Sequence, residues 1–278
     1  MMSTFRFSQL NVFSVDPLGG NPLAVVHAAE GLDDARMAAF ARWTNLSETT
    51  FLLPPIDPGA DYRVRIFTPT RELPFAGHPT LGSCHAWLAA GGKPRMPGVV
   101  SQQCGVGIVR IRTGGSRLEF AAPPLRRTGA LEPDVLAKIA GALDVPLSEI
   151  VHHQWVDNGP GWCAVMLRSA RQVLSLKPSW TALEPLKLGV MGPHDAGHDA
   201  AFEVRAFVGG GEYEDPVTGS LNAGLAQWLM HEGLAPPSYV AAQGTALQRA
   251  GRVHLRMDQD QVWVGGDVVD VIQGELSL

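Results

Sequence analysis

The chain has 278 residues, of which 45% are hydrophobic and 18% are charged, and its formal net charge is −5. This composition supports a sizeable buried core and excludes a disordered chain. Because the sequence has no block or stripe of lysine and arginine, a nucleic-acid-binding protein is not expected.

The N-terminal residues and the cysteines indicate the cellular location that the sequence predicts. Residues 1–10 lack the apolar run of a signal peptide, and no stretch approaches the roughly 20 apolar residues of a membrane helix. The three cysteines, Cys84, Cys104 and Cys163, are widely spaced, which favours a reducing compartment over a disulfide framework or a zinc site. We therefore expect a cytoplasmic protein that does not bind a membrane.

The predicted elements are short strands with a few helices. Alternation of polar and apolar residues predicts strands, and apolar residues at helical spacing predict helices. A proline at the start and Gly91-Gly92 beyond the end delimit one of the helices. In chain order, strands are predicted at 8–14, 23–26, 50–53, 63–66, 106–112, 117–121, 164–167, 203–207, 253–257, 261–265 and 267–273, and helices at 33–43, 79–90 and 216–230.

A weak internal repeat organises the chain. The segments around Ala24 and Arg65 recur 140 residues later, around Ala164 and Arg205. The segment at 78–83 recurs 137 residues later, at 215–220. A period this long indicates two halves of similar fold rather than a solenoid. We predict halves at 1–122 and 123–278, with strands that could cross over between them.

The repeat and the elements together predict an α+β fold. Each half is expected to be a curved, mostly antiparallel sheet wrapped around one central helix. The two central helices are those predicted at 79–90 and 216–230. The halves are therefore expected to be pseudo-symmetric.

The two best-matched segments lie at the predicted starts of the central helices. His78 and Asp215 each precede a proline, and Gly-Ser follows in each segment. The first turn of a helix has free N–H groups and a partial positive charge, which suit a carboxylate or phosphate. Two such starts facing each other would enclose one small anionic substrate. Ordinary helix capping is the alternative interpretation.

Glu48 is the second candidate. It follows a predicted helix, lies among hydroxyl residues and precedes an apolar strand. A carboxylate beside an apolar segment can have a raised pKa, which suits proton transfer near neutral pH. From the residues alone, a surface glutamate near a helix end remains an alternative. His194 and His198 share a loop that could bind a metal, although a solvated loop is favoured there.

Five segments resemble the signature of the PhzF-like family of phenazine-biosynthesis proteins. The most specific are AGHPT at 76–80 and EDPVTGS at 214–220, and the others are 20–22, 47–49 and 67–69. The resemblance implies a fold like that of diaminopimelate epimerase, with the active site in the cleft between the halves. It implies Glu48 as the acid/base, neither a cofactor nor a metal, and a homodimer.

The resemblance also implies a reaction and the roles of other residues. Glu48 would move a proton within a small, cyclic amino acid carboxylate, which makes the protein an isomerase. His78 and Asp215 would orient the substrate and hold Glu48 in place. The predicted substrate-binding residues are Gly77, Gly82, Ser83, Thr218, Gly219 and Ser220.

One departure bears on the chemistry. Diaminopimelate epimerase and proline racemase have a cysteine at each helix entrance, where this chain has His78 and Asp215. A two-thiol racemase mechanism is therefore not expected. An epimerase or racemase of a small amino or hydroxy acid remains an alternative function. A homologue that binds a small molecule without catalysis is another.

Overall fold

The computed structural model of the chain describes residues 3–278, which form short strands and six α-helices. The helices are α1 (Asp34–Thr44), α2 (Gly77–Ala89), α3 (Pro133–Leu143), α4 (Ala170–Ser175), α5 (Trp180–Leu183) and α6 (Gly219–His231). The strands are β1 (Thr4–Val12), β2 (Asn21–Val26), β3 (Glu48–Leu53), β4 (Tyr62–Phe67), β5 (Glu72–Leu73), β6 (Val99–Cys104), β7 (Gly107–Arg112), β8 (Leu118–Ala121), β9 (Ile150–Trp155), β10 (Trp162–Leu167), β11 (Lys187–Pro193), β12 (Phe202–Val208), β13 (Tyr213–Asp215), β14 (Ser238–Gln243), β15 (Gly251–Asp258), β16 (Gln261–Gly266) and β17 (Val268–Ser277).

The chain divides into two compact units. The second unit is Ala122–Val264, and the first unit comprises the described residues up to Ala121 together with Gly265–Leu278. Residues 265–278 belong to the first unit because β17 pairs antiparallel along the whole of β1, from Thr4 opposite Ser277 to Val12 opposite Val268. The predicted halves, 1–122 and 123–278 with strands that could cross over between them, stay a prediction.

The sheet of the first unit has a mixed pairing pattern. β2 lies antiparallel to β1 and parallel to β3. β4 lies antiparallel to β3 and to β5 and parallel to β6. β6, β7 and β8 then follow as an antiparallel series. Antiparallel pairs therefore predominate, as predicted, but two pairs are parallel.

The second unit repeats this pattern. β10 lies antiparallel to β9 and parallel to β11. β12 lies antiparallel to β11 and to β13 and parallel to β14, which is antiparallel to β15. Both parallel pairs thus recur at corresponding places. The predicted α+β fold with two similar halves is confirmed.

One thirteen-residue helix is the centre of each unit. α2 has nine buried residues and packs against β1, β2 and β3. α6 also has nine buried residues and packs against β10 and β15. A helix that is mostly small and apolar around its circumference is stable only when it is enclosed. The composition of α2 and α6 therefore explains why the strands surround them.

The sixth residue of each central helix is a glycine that permits close packing. A Cβ atom on Gly82 would lie 2.6 Å from Leu23 Cδ2 and 2.8 Å from Leu10 Cδ1. A Cβ atom on Gly224 would lie 2.4 Å from the carbonyl oxygen of Val156. Since neither position has room for a side chain, these glycines set how closely α2 and α6 approach the strands of their own units.

Both helix starts differ from the prediction. α2 begins at Gly77 rather than at Pro79, so His78 lies inside the first turn as the second helical residue. Pro79 is tolerated there because the first N–H groups of a helix have no partner within it. α6 begins at Gly219 rather than at Pro216, because Thr218 is extended and serves as the N-cap residue.

The helices are also short compared with membrane spans. Within residues 3–278, no helix combines the length and the hydropathy needed to cross a membrane.

Candidate active site

Glu48 and His78 are brought together in the first unit. Glu48 is the first residue of β3, and its Oε2 atom lies 3.3 Å from Nδ1 of His78. The side chain of Glu48 is 15% exposed, whereas that of His78 is 5% exposed. The carboxylate is therefore largely surrounded by protein but still accessible to a small molecule. The imidazole is the more buried of the two side chains.

His78 is uncharged at neutral pH. Burial lowers its pKa from 6.5 to about 3, and the backbone carbonyl of Pro22, which would favour the charged ring, acts more weakly in the opposite direction. The contact with Glu48 is therefore one between a carboxylate and a neutral imidazole. With Nδ1 facing Oε2, the Nδ1–H tautomer is the form that donates a hydrogen bond to the carboxylate.

The lowered pKa of His78 predicts a loss of stability in acid. Between pH 6.5 and 4.5 the unfolded chain takes up a proton at this residue, whereas the folded chain does not. Well above the unfolded pKa of 6.5, His78 does not change the free energy of unfolding. Below it, the free energy of unfolding decreases as the pH falls towards 3. Over these two pH units we expect His78 to lower the free energy of unfolding by about 2 kcal/mol.

Urea unfolding of the wild type and of His78→Gln at both pH values measures this contribution. The variant should lose about 2 kcal/mol less than the wild type between pH 6.5 and 4.5. His27, whose pKa burial lowers to about 4, and Glu203, whose pKa burial raises to about 7, are present in both proteins. Their effects cancel in the comparison. Equal pH dependence in the two proteins would contradict a neutral, buried His78.

The other predicted residues of α2 have structural contacts. Gly77 is the first helical residue and is buried, so its N–H belongs to the first turn. Ser83 is fully buried, and its hydroxyl donates a 2.9 Å hydrogen bond to Thr50 Oγ1. Gly82 packs against apolar side chains, as described above. A role in substrate binding stays a prediction for these residues.

Asp215 and Thr218 are brought together in the second unit. Asp215 ends β13, and its Oδ2 atom accepts a 2.6 Å hydrogen bond from the Thr218 hydroxyl. Gln243, fully buried on β14, donates to the Asp215 carbonyl (3.0 Å) and to Thr218 Oγ1 (3.0 Å). Its Oε1 atom accepts from the Thr218 N–H (3.0 Å) and from Asn222 Nδ2 (2.7 Å). This network fixes the segment that leads into α6.

Ser220 takes the place in α6 that His78 takes in α2. Each is the second residue of its central helix. The predicted correspondence of His78 with Asp215 is wrong at the level of the helices. The reason is that residues 216–218 lie outside α6, whereas α2 includes the residue just before His78.

Other reactive side chains include the three cysteines and the two loop histidines. Cys84, Cys104 and Cys163 are buried, and burial raises the pKa of all three thiols. His194 and His198 stack with ring centroids 3.7 Å apart, and His194 Nε2 lies 3.1 Å from Glu203 Oε2. Among residues 3–278, no three ligand-type side chains are grouped as for a metal ion.

A surface pocket of about 280 Å³ opens elsewhere in the first unit. Its lining includes Leu52 and Leu53 at the end of β3 opposite to Glu48, together with Tyr62 and Trp87. The rings of Tyr62 and Trp87 stack on each other with centroids 5.1 Å apart. Because Glu48 and His78 do not line this pocket, we assign it no part in the candidate site.

Sequence reasoning did not identify several supporting residues. Gln243 and Asn158 gave no local signal, because each acts on a residue more than 20 positions away. Trp162 lies in one of the repeated segments, so the repeat was the signal that could have found it. These residues share one property, which is that they hold the start of α6.

Comparisons with known proteins agree with this architecture. The model of the family described as phenazine biosynthesis-like protein matches residues 10–274. An uncharacterized isomerase of Mesorhizobium japonicum is 35% identical, and the match covers 100% of both chains. The trans-2,3-dihydro-3-hydroxyanthranilate isomerase of Pseudomonas fluorescens is 35% identical over 81% of this chain and 79% of that protein.

A solved structure extends the likeness to three dimensions. A predicted epimerase from Pseudomonas aeruginosa is 30% identical to this chain and matches its structure with a TM-score of 0.80. The match covers 98% of this chain and 99% of the other. The likeness therefore includes both units.

Proposed function

The chain belongs to the family of phenazine biosynthesis-like proteins and is an isomerase, and we propose that it moves a proton within a small amino acid carboxylate. The observation that carries the proposal is the Glu48 carboxylate beside the neutral, buried imidazole of His78. In this proposal Glu48 is the acid/base.

The neutral state of His78 supports this assignment. A protonated imidazole would form an ion pair with Glu48 and would weaken it as a base. The neutral ring instead offers one N–H to Oε2, which fixes the orientation of the carboxylate without neutralising its charge. His78 is therefore proposed as a residue that orients Glu48.

The proposed reaction needs one base. The Glu48 carboxylate takes a proton from an acidic C–H bond of the substrate, and the electron pair of that bond enters the adjacent π system. The carboxylic acid formed on Glu48 then returns the proton to another carbon of the same π system. The substrate is neither oxidised nor reduced, so this reaction requires no redox cofactor, and none is proposed.

A carboxylate on the substrate is proposed as the group that the chain recognises. The first turn of a helix presents N–H groups to an anion. Gly219 and Ser220 begin α6, and Gly77 begins α2. We propose these residues, with Asp215 and Thr218, for binding and orienting the substrate. A cyclic substrate is favoured because the Pseudomonas fluorescens relative is named for trans-2,3-dihydro-3-hydroxyanthranilate.

An epimerase of a small amino acid is the second candidate. The observation that favours it is the 30% identity to the Pseudomonas aeruginosa protein named as a predicted epimerase. Epimerisation by two opposed thiolates does not fit this chain, because burial raises the pKa of its cysteines and keeps them protonated. An epimerase would therefore have to use other bases, and it would exchange the α-proton of both epimers with solvent.

The cellular location, the oligomeric state and the partners are also proposals. We propose a cytoplasmic homodimer that acts on a free small molecule and binds neither nucleic acid nor a membrane.

The test is an incubation with trans-2,3-dihydro-3-hydroxyanthranilate in D₂O, followed by NMR. We expect the substrate to isomerise, with deuterium entering the ring carbon that receives the proton to the extent that the acid formed on Glu48 exchanges with the solvent. Exchange confined to the α-carbon of an amino acid, without movement of a double bond, would favour the epimerase instead. An unchanged substrate would contradict this substrate assignment.

A further inference from the structure

Trp162 and Asn158 hold Ser220 from two sides. The indole N–H of Trp162 donates a 3.1 Å hydrogen bond to Ser220 Oγ. The side-chain amide of Asn158 donates a 2.8 Å hydrogen bond to the backbone carbonyl of Ser220. Both Trp162 and Asn158 are buried, so their positions are set by packing. The second residue of α6 is thereby fixed in its backbone and in its side chain.

The chemistry of the indole decides which way the Ser220 hydroxyl works. An indole N–H is only a donor, so the Ser220 oxygen must accept from it. The hydroxyl proton must then point away from Trp162. Among residues 3–278, the Ser220 hydroxyl makes no hydrogen bond other than the one with Trp162. The O–H group of Ser220 therefore remains a hydrogen-bond donor that has no acceptor among the described residues.

The turn that carries Trp162 is itself held in place. Oδ1 of Asp157 accepts hydrogen bonds from the N–H groups of Gly159 (2.7 Å) and Gly161 (2.6 Å). Gly159 and Gly161 have φ angles of 138° and 92°, a region that favours glycine. This bonding explains why the turn presents Asn158 and Trp162 together to Ser220.

The other unit has a related contact. Trp162 is the first residue of β10, and Asn21 is the first residue of β2, the corresponding strand. There the backbone of Pro22 lies beside the imidazole of His78, the second residue of α2, and acts to raise its pKa. In both units, the start of this strand thus contacts the second residue of the central helix. The recurrence indicates that this contact serves the helix start.

From these contacts we propose that Trp162 is a positioning residue, which orients the Ser220 hydroxyl so that it donates a hydrogen bond to the substrate carboxylate. The proposal rests on the proposed function, because it requires an anionic substrate. It assigns Trp162 no contact with the substrate itself.

The test is a double-mutant cycle in the full chain. Trp162→Phe removes the N–H and keeps an aromatic ring, and Ser220→Ala removes the hydroxyl. With trans-2,3-dihydro-3-hydroxyanthranilate we expect Trp162→Phe to raise KM about three- to tenfold with a smaller change in kcat. In the Ser220→Ala background, Trp162→Phe should have no further effect on KM, because the two residues act as one unit.

Trp155→Phe is the matched control. Its indole N–H donates to Glu132 Oε2 (3.0 Å) in the same unit, so Trp155→Phe also loses one partly buried indole hydrogen bond. KM should stay at the wild-type value in this variant. Equal effects of both tryptophan variants, or independent effects of Trp162→Phe and Ser220→Ala, would overturn the proposal.

A binding measurement separates this proposal from the proposed substrate. If the wild type does not convert the compound, the substrate assignment fails, and anthranilate then serves as a non-reacting carboxylate probe. The ¹⁵N–¹H signal of the Trp162 indole should shift during titration of the wild type and stay unchanged in Ser220→Ala. A signal that does not shift in the wild type would overturn the role of Trp162.

Discussion

Replacement of Glu48 by glutamine is expected to lower turnover by about 10²–10⁴-fold, the usual effect of removing a positioned acid/base. Glutamine has nearly the same shape and can still accept the hydrogen bond from Nδ1 of His78, but its amide cannot take up the substrate proton. The fold should therefore persist. The rate of substrate isomerisation followed by NMR measures the loss, and the urea-unfolding midpoint reports the fold.

Two further variants sharpen this result. Glu232→Gln makes the same chemical change at a side chain that is 55% exposed, and it should retain wild-type turnover. Glu48→Asp keeps the charge but withdraws the carboxylate by one methylene group from His78, and an intermediate loss is expected. Turnover of Glu48→Gln within tenfold of the wild type would contradict the assignment of Glu48 as the acid/base.

The two-half architecture could be predicted because its signals are local and occur twice. Short segments around Ala24 and Arg65 recur 140 residues later, and each central helix is a run of small and apolar residues. The glycine in the sixth position of both helices is apparent only from the structure, because the predicted helices began at Pro79 and Pro216. Local patterns that appear in duplicate can be read without knowledge of distant contacts.

The helix starts were harder to predict, because proline was interpreted too simply. Pro79 was expected as the first residue of α2 but is its third, and Pro216 lies outside α6 altogether. The start of α6 is determined by Gln243, which binds the N–H and the hydroxyl of Thr218 from a strand 25 residues further along the chain. A sequence pattern does not reveal such a partner. The mistaken match of His78 with Asp215 has the same origin.

Helix α3 has sequence signals that are typical of a helix. The helix α3 has proline in its first turn and buried apolar residues at helical spacing, yet it was not predicted. The pairing of β17 with β1 could not be predicted in this way, because it joins the two ends of the chain. Local capping can be read from a sequence, whereas strand pairing over this distance depends on the whole fold.

The second large effect is expected at a buried ion pair beside the candidate site. Arg205 on β12 binds both carboxylate oxygens of Glu214, at 3.0 and 2.7 Å, and the two side chains are 8% and 6% exposed. Glu214 directly precedes Asp215, so this pair fixes the hairpin that leads towards α6. Glu214→Gln would leave a buried, uncompensated guanidinium group, which we expect to lower the free energy of unfolding by about 3–5 kcal/mol.

The repeat supplies the matched control for this prediction. Arg65 binds Glu72 with the same bidentate geometry, at 2.8 and 2.7 Å. Here the side chains of Arg65 and Glu72 are 21% and 42% exposed. Glu72→Gln should cost no more than about 1 kcal/mol, because water solvates the remaining charge and Asp34 also contacts Arg65. Urea unfolding compares the two variants. Equal losses would mean that burial does not determine how much each ion pair contributes to the free energy of unfolding. A large loss confined to Glu214→Gln would show that the same ion pair stabilises the two units to different extents, because its burial differs.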